Sequence, residues 1–247
     1  MEVRLIDYTG CGTDDPARHA ANVLVFTKNT RLEMRAGLMD DIAAWPWEKV
    51  EAELEYMANT IPSSWEFINY TFLINDVTRA FTHQFVRTRT GSYAQQTMRV
   101  LNKSGWTYDT GPTITDDSER ELAYGACMDV IADTYDALIE AGAKIEDARG
   151  VLPTNIHTNI VAKFDLRTLA DTARKRASSR TQGEYRDVMD AMLLEVQRVH
   201  PWTRLFLRRS FDLAAQELEN AISAAFRTDD KARIDLIKLI DQMRATA

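Results

Sequence analysis

The sequence predicts an α+β fold: one domain, residues 1–247, with a small antiparallel sheet and a helix-rich C-terminal half. Three observations lead there. In EFINYTFLIND, Ile68, Tyr70, Phe72 and Ile74 fall on one face and Asn69 and Thr71 on the other, which is the period of a strand. From Asp117 onward, apolar residues recur at helical spacing instead. No repeat, low-complexity tract or linker separates the two regions, so strands before and helices after are read as one domain.

The elements follow in order. Residues 1–8 predict a short strand that ends at the Gly10-Cys11-Gly12 turn. Residues 15–60 predict helix in pieces, one of them starting after Pro46. Pro62-Ser63-Ser64 breaks that pattern before the alternating strand. Residues 77–86 predict a helix that leads into FVRTRTGSYAQQTMRV, residues 85–100, with a turn at Gly91-Ser92. Residues 97–108 are expected to be extended. Next comes a long amphipathic helix whose stripe is Ala123, Cys127, Val130, Ile131, Thr134, Tyr135 and Leu138, with Cys127 placed in the core. Further helices are expected at roughly 142–150, 155–163, 166–178, 182–199, 203–225 and 229–245, with Pro153 and Pro201 marking two breaks.

Composition narrows the function. Hydrophobic residues make up 45% of the chain, enough for a real core. No apolar run approaches the roughly 20 residues that span a bilayer, and MEVRLIDYTG lacks the basic start and apolar run of a signal peptide. The expectation is a soluble, cytoplasmic protein. Two cysteines, Cys11 and Cys127, suggest neither a disulfide framework nor a zinc site, and the four histidines show no ligand spacing. A formal net charge of -7 argues against a nucleic-acid binder.

Against that acidic whole, residues 85–100 carry Arg87, Arg89 and Arg99 and no acid. In an extended segment Arg87 and Arg89 would point the same way. A second group follows: Arg149, Arg167, Arg174, Arg176 and Arg180. On a helix Arg176 and Arg180 share a face, while Arg174 and Lys175 read as a solvated one. The arginine fork suits phosphate oxygens and planar carbonyl edges. The phosphate loops GxxxxGK[ST] and GxGxxG are missing. Residues and spacing therefore point to anionic small molecules held by arginine.

Residues 85–100 also resemble the signature of flavin-dependent thymidylate synthases, R-H-R-x-x-S-x-N-E-x-S-x-R-Y, through Arg87, Arg89, Ser92 and Arg99. The likeness continues in PSSWEFINYTF, which keeps Glu66, in Gln84, and in ARGVLPTNIHT, residues 148–158. It extends through DLRTLADTARKRASSRTQGE, residues 165–184, with Gln182 and Glu184, to HPWT, residues 200–203. It covers most of residues 60–205, in order.

The resemblance implies an α+β subunit that works as a homotetramer with shared active sites. It implies FAD as cofactor, NADPH as its reductant, and transfer of the one-carbon unit of methylenetetrahydrofolate to C5 of dUMP, giving dTMP. By position, Ser63, Arg87, Thr88, Arg89, Gln95, Asp165, Arg167 and Asp171 would lie along FAD. Gln84, Arg87, Gln95, Gln96, Thr97, Arg99, Arg149 and Arg176 would hold the nucleotide, and Arg176 would favour ionisation of the uracil at N3. The chemistry fits: C5 is a weak nucleophile, neither cysteine looks activated, and a cation at the pyrimidine edge stabilises the charge that makes C5 attack.

The signature also departs from the family. Its His is Thr88, its Asn-Glu pair is Ala94-Gln95, its second Ser is Thr97 and its Tyr is Val100. Two upstream histidines are replaced by Ile61 and Phe67, and two later asparagines by Asp165 and Asp171. Three readings follow: a diverged dUMP methylase, a variant acting on dCMP or leaving a 5-hydroxymethyl group, or a non-catalytic nucleotide- or flavin-binding relative. Gln95 for Glu exchanges an acceptor-only group for a mixed donor and acceptor.

Overall fold

A computed structural model describes residues 1–176, 182–207, 218, 221–223, 225–226 and 230–246. The chain forms two compact units: Met1–Glu2 with Leu73–Ala162, and Val3–Phe72 with Lys163–Ala247. All three divides fall inside strands. The fold is α+β, with a four-stranded sheet in the order β1-β2-β4-β3, where β1 is Glu2–Tyr8, β2 Asn69–Thr78, β3 Ser92–Gln95 and β4 His157–Asp165.

β2 follows its alternation closely. Ile68, Tyr70, Phe72 and Ile74 are all fully buried. β4 alternates in the same way, burying Thr158, Ile160, Ala162 and Phe164. This corrects the helix expected at 155–163. Four inward residues at period two, next to β-branched Thr158, Ile160 and Val161, favour a half-buried strand over a helix.

In the unit built from Val3–Phe72 and Lys163–Ala247, α1 (Pro16–Asn29) starts with Pro16 in its first turn and Asp15 capping the Arg18 N–H at 2.9 Å. It buries Ala20, Ala21, Leu24 and Val25. A short helix, α2 (Leu38–Ala43), follows, and then α3 (Trp47–Thr60), which turns Val50, Leu54 and Met57 inward. A 3-10 turn at Pro62–Phe67 closes on it, where the Trp65 indole donates to the Met57 carbonyl at 3.0 Å. Later in the chain come α8 (Leu166–Arg176) and α9 (Gly183–Val199), then a 3-10 turn at Pro201–Leu205. Trp202 and Phe206 pack edge to face there, and Phe206 meets Trp65 in the same manner. α10 is Asp230–Thr246. The helix expected at 203–225 falls largely outside the described residues.

The other unit holds α4 (Arg79–Phe85), α5 (Pro112–Thr115), α6 (Ser118–Glu140) and α7 (Ile145–Ala148). The expected helix at 142–150 is short α7 followed by a 3-10 turn, Arg149–Val151. α6 is the predicted long helix, but its buried residues are Met128 and Tyr135. Cys127 is exposed and Val130 is 64% exposed, so the expected core position of Cys127 is corrected. Tyr135 is buried as the stripe predicts, while Met128, one position past Cys127, takes the other buried place. Residues 97–107 form turns and bends and not an extended run. Tyr108 alone bridges, to Ile156.

Candidate functional site

In the unit that contains it, the signature segment is a loop between α4 and β3. Thr78 caps α4 by accepting the Phe81 N–H at 3.0 Å. The helix ends at Phe85, with Gln84 half-buried in its last turn. Residues 86–90 form turns, so Arg87 and Arg89 do not share one side of an extended segment. Both are exposed, and neither forms an ion pair among the described residues. Tyr93 holds the loop closed. Its hydroxyl lies 2.8 Å from the Thr88 carbonyl and 3.1 Å from that of Phe85, and its ring meets Phe85 edge-on. Tyr93 is a positioning residue that the sequence did not single out. Its only signal was an aromatic between the turn and the glutamines.

Two glutamines follow, Gln95 at the end of β3 and Gln96 just after it. The Gln95 amide donates to Thr82 Oγ1 at 2.8 Å. Gln96 pairs its N–H with the Asn159 carbonyl at 2.9 Å, and its own carbonyl accepts Arg79 Nη2 at 3.0 Å. Thr97 Oγ1 accepts the Arg99 N–H at 3.0 Å. Arg99 itself is engaged: its Nε donates to Glu146 Oε2 at 3.0 Å. Arg149 donates from Nε to the Glu146 carbonyl at 3.2 Å, with no carboxylate ion pair among the described residues. Gln96 also lines a polar cavity of about 280 Å³, with Asp76, Lys103, Trp106, His157 and Asn159 among its walls. Asp76 sits there with φ 53, and its N–H donates to Asn159 Oδ1 at 3.0 Å. His157 is held between Thr107 Oγ1 and Asp109 Oδ1, each at 2.8 Å. Those three residues pin the 107–109 segment to β4.

The other unit carries the remaining candidates. Ser63 Oγ accepts Arg31 Nη2 at 2.8 Å. Asp165 caps α8, taking the Thr168 N–H on one oxygen at 2.6 Å and the Thr168 hydroxyl on the other at 3.1 Å. Arg167 donates to Glu66 Oε1 at 2.6 Å. Asp171 pairs with Arg174 at the surface, and Arg174 and Lys175 are exposed as the sequence suggested. Arg176, half-buried at the end of α8, lies over the Tyr185 ring at 4.7 Å from its centroid. Arg180 lies outside the described residues.

What the two units offer chemically is cationic. Arg87, Arg89, Arg149 and Arg176 form no carboxylate ion pair among the described residues, while Arg99, Arg167 and Arg174 do. The described residues contain no cluster of His, Cys, Asp or Glu suited to a metal ion. None of the described helices is long and apolar enough to cross a membrane.

The described residues thus show an α+β chain with an arginine-bearing loop before its edge strand in one unit and a capped helix ending in arginine in the other. Comparison identifies the class. Residues 4–202 match the family model described as thymidylate synthase complementing protein, and the chain belongs to that family. It is 38% identical over 138 residues to a flavin-dependent thymidylate synthase of Saccharolobus solfataricus, across 56% of this chain and 52% of that protein. A flavin-dependent thymidylate synthase of Clostridium tetani is 33% identical over 152 residues, 55% of this chain and 61% of that one. Another, from Geobacter sulfurreducens, is 35% identical over 141 residues, 55% of this chain and 60% of that protein. The chain spans about half the length of the curated relatives it matches.

Proposed function

We propose that this protein is a flavin-dependent enzyme that transfers a one-carbon unit from methylenetetrahydrofolate to C5 of dUMP, giving dTMP. On this reading the whole chain, 1–247, is one domain of the family, works in the cytoplasm and assembles as a homotetramer with shared sites. NADPH is the reductant. The observation that carries the reading is the set of guanidinium groups without carboxylate partners among the described residues, at the family's own positions: Arg87, Arg89, Arg149 and Arg176.

The donor set fits FAD. Arg87 and Arg89 stand exposed on a loop held by Tyr93, and a pyrophosphate with two negative charges complements them. Thr88 and Gln95 lie on the same stretch, and Ser63, Asp165, Arg167 and Asp171 complete the proposed flavin contacts. Of these, Ser63, Gln95, Asp165, Arg167 and Asp171 already have protein partners, which makes them positioning residues toward the flavin. A bound flavin supplies the reducing electrons.

On the nucleotide, Gln84, Arg87, Gln95, Gln96, Thr97, Arg99, Arg149 and Arg176 provide donors. Arg176 is the group placed at the pyrimidine edge. The Tyr185 face steadies its guanidinium without neutralising it, so its charge remains available to stabilise the uracil N3 anion. That anion pushes electron density to C5 with no enzyme nucleophile.

The deciding experiment supplies purified protein with FAD, NADPH, methylenetetrahydrofolate and equal dUMP and dCMP, and identifies the nucleotide products by mass spectrometry. A methylated dUMP is expected. A modified dCMP or a 5-hydroxymethyl product assigns the variant chemistry instead, and no product in the presence of bound flavin assigns a binding protein.

A further inference from the structure

Thr107, Asp109 and His157 lie in one unit of the chain, and none has a part in the flavin or nucleotide assignments. Their backbone is fixed from several sides. The Thr107 carbonyl accepts the His157 N–H at 2.9 Å, and the Asp109 N–H donates to the Asn155 carbonyl at 3.1 Å. Between them Tyr108 bridges to Ile156, and the Asn155 amide donates to the Asp109 carbonyl at 3.0 Å. The three side chains therefore start from a rigid frame.

Elementary chemistry gives the direction of the two imidazole bonds. A carboxylate only accepts, so in the neutral ring Nε2 carries the proton and donates to Asp109 Oδ1 at 2.8 Å. Nδ1 is left as an acceptor, and the Thr107 hydroxyl donates to it at 2.8 Å. A hydroxyl is thus aimed at a base whose other nitrogen is oriented by an acid, the arrangement that activates a weak nucleophile. Thr107 is exposed and His157 half-buried, so a small molecule can reach the hydroxyl.

Both residues line the polar cavity of about 280 Å³. Two other members of its wall have hydrogen-bonding capacity to spare. Trp106 Nε1 and Thr158 Oγ1 are buried without a partner among the described residues, and Thr158 is only 1% exposed. A buried indole N–H with no acceptor is costly unless a ligand supplies one. Lys103 belongs to the same wall, with Nζ at 3.5 Å from Gln96 Oε1 and no ion pair to a described residue. A nucleophile and its base therefore share one wall with an unpaired N–H donor and an unpaired ammonium, the groups that a carbonyl oxygen gaining charge requires.

We propose that Thr107, His157 and Asp109 form a second, hydrolytic site that takes small polar carboxylic esters. Thr107 Oγ bonds to the ester carbonyl carbon while its proton passes to His157 Nδ1. The C–O bond to the leaving alcohol breaks, and the alcohol departs with that proton. Water then attacks the acyl-threonine and gives a proton to His157, which returns it to Thr107 Oγ as the acid leaves. One ester and one water become one acid and one alcohol, with no electron transfer. Asp109 holds the ring and is a positioning residue. Trp106 Nε1 and Lys103 are the donors available to the carbonyl oxygen. The site stands apart from the flavin and nucleotide reading and does not depend on it.

The test gives the full chain p-nitrophenyl acetate, follows p-nitrophenolate release, and maps acetyl groups by peptide mass spectrometry, with circular dichroism to verify folding. Wild type should show a burst and an acetyl group on Thr107. Thr107→Val should remove both, while Thr107→Ser, which keeps the hydroxyl, should retain the adduct. His157→Gln should slow the burst about a hundredfold or more, and Asp109→Asn should slow it as well, because the ring loses the partner that fixes its tautomer. Acetylation of lysines or cysteines with none at Thr107 overturns the proposal and leaves the three residues as a structural pin. So does a burst that survives in folded Thr107→Val, or an undiminished rate in folded His157→Gln.

Discussion

Tyr70 and His200, 130 residues apart, are joined by a 2.9 Å hydrogen bond between the Tyr70 hydroxyl and His200 Nδ1, with both side chains fully buried. Trp202 stacks on the imidazole at 5.5 Å and Tyr8 meets it edge-on at 5.4 Å. Burial pulls the His200 pKa down to about 4, partly offset by the Thr9 and Pro16 backbone, with nearby His19 lowering it further. Burial also raises the Tyr70 pKa, so its hydroxyl stays protonated.

Stability should therefore depend on pH. The native imidazole stays neutral where the unfolded one, near pH 6.5, already takes a proton. Between about pH 4 and 6.5 the unfolded chain binds more protons, so this contribution is whole above pH 6.5 and is lost as pH falls toward 4, by roughly 3 kcal/mol in all. Denaturant titrations at pH 7.5 and 5 measure it. His200→Gln should remove the slope; an equally steep loss in that variant assigns the acid sensitivity elsewhere.

Arg176→Ala should abolish turnover and leave the fold standing. The guanidinium over Tyr185 is a cation–π contact, so its removal costs about 0.5–1 kcal/mol of stability. Parallel measurement of kcat and melting midpoint separates the two effects. Surviving activity would remove Arg176 as the pyrimidine activator.

Gln95→Glu should destabilise the protein as well as test substrate choice. Thr82 Oγ1 already donates its one proton to the Arg79 carbonyl at 3.0 Å, and it accepts the Gln95 amide at 2.8 Å. A carboxylate in place of that amide would face a hydroxyl oxygen with no proton to give, costing roughly 1–3 kcal/mol. Urea unfolding reads that cost, and competition between dUMP and dCMP reads specificity. A neutral stability effect would mean that Thr82 re-aims its hydroxyl.

Asp165→Ala should cost about 1 kcal/mol through the lost α8 cap, while Asp165→Asn keeps an acceptor for the Thr168 N–H and should cost less. Flavin retention, followed by absorbance after gel filtration, distinguishes the roles. Retention in Asp165→Asn equal to wild type marks a positioning residue; loss there, with stability kept, marks direct contact with the flavin.

The sequence by itself determined the α+β class, the β2 face of Ile68, Tyr70, Phe72 and Ile74, the starts of α3 and α9, and the arginine positions that carry the family likeness. These are local signals: period-two alternation, proline and cap chemistry, and ordered motif blocks. Tertiary structure decided the rest, because partners distant in sequence leave no local pattern. It made 157–165 a strand against β2, turned Cys127 outward from α6, and gave Asp165 to a helix cap. It also sorted the arginines by charge. Glu146 lies 47 residues from Arg99 and pairs with it, while Arg79 and Lys103, both silent in the motif, meet at Gln96 with no ion pair among the described residues. Whether a cation is free depends on which acid folding brings beside it, and that is a long-range fact.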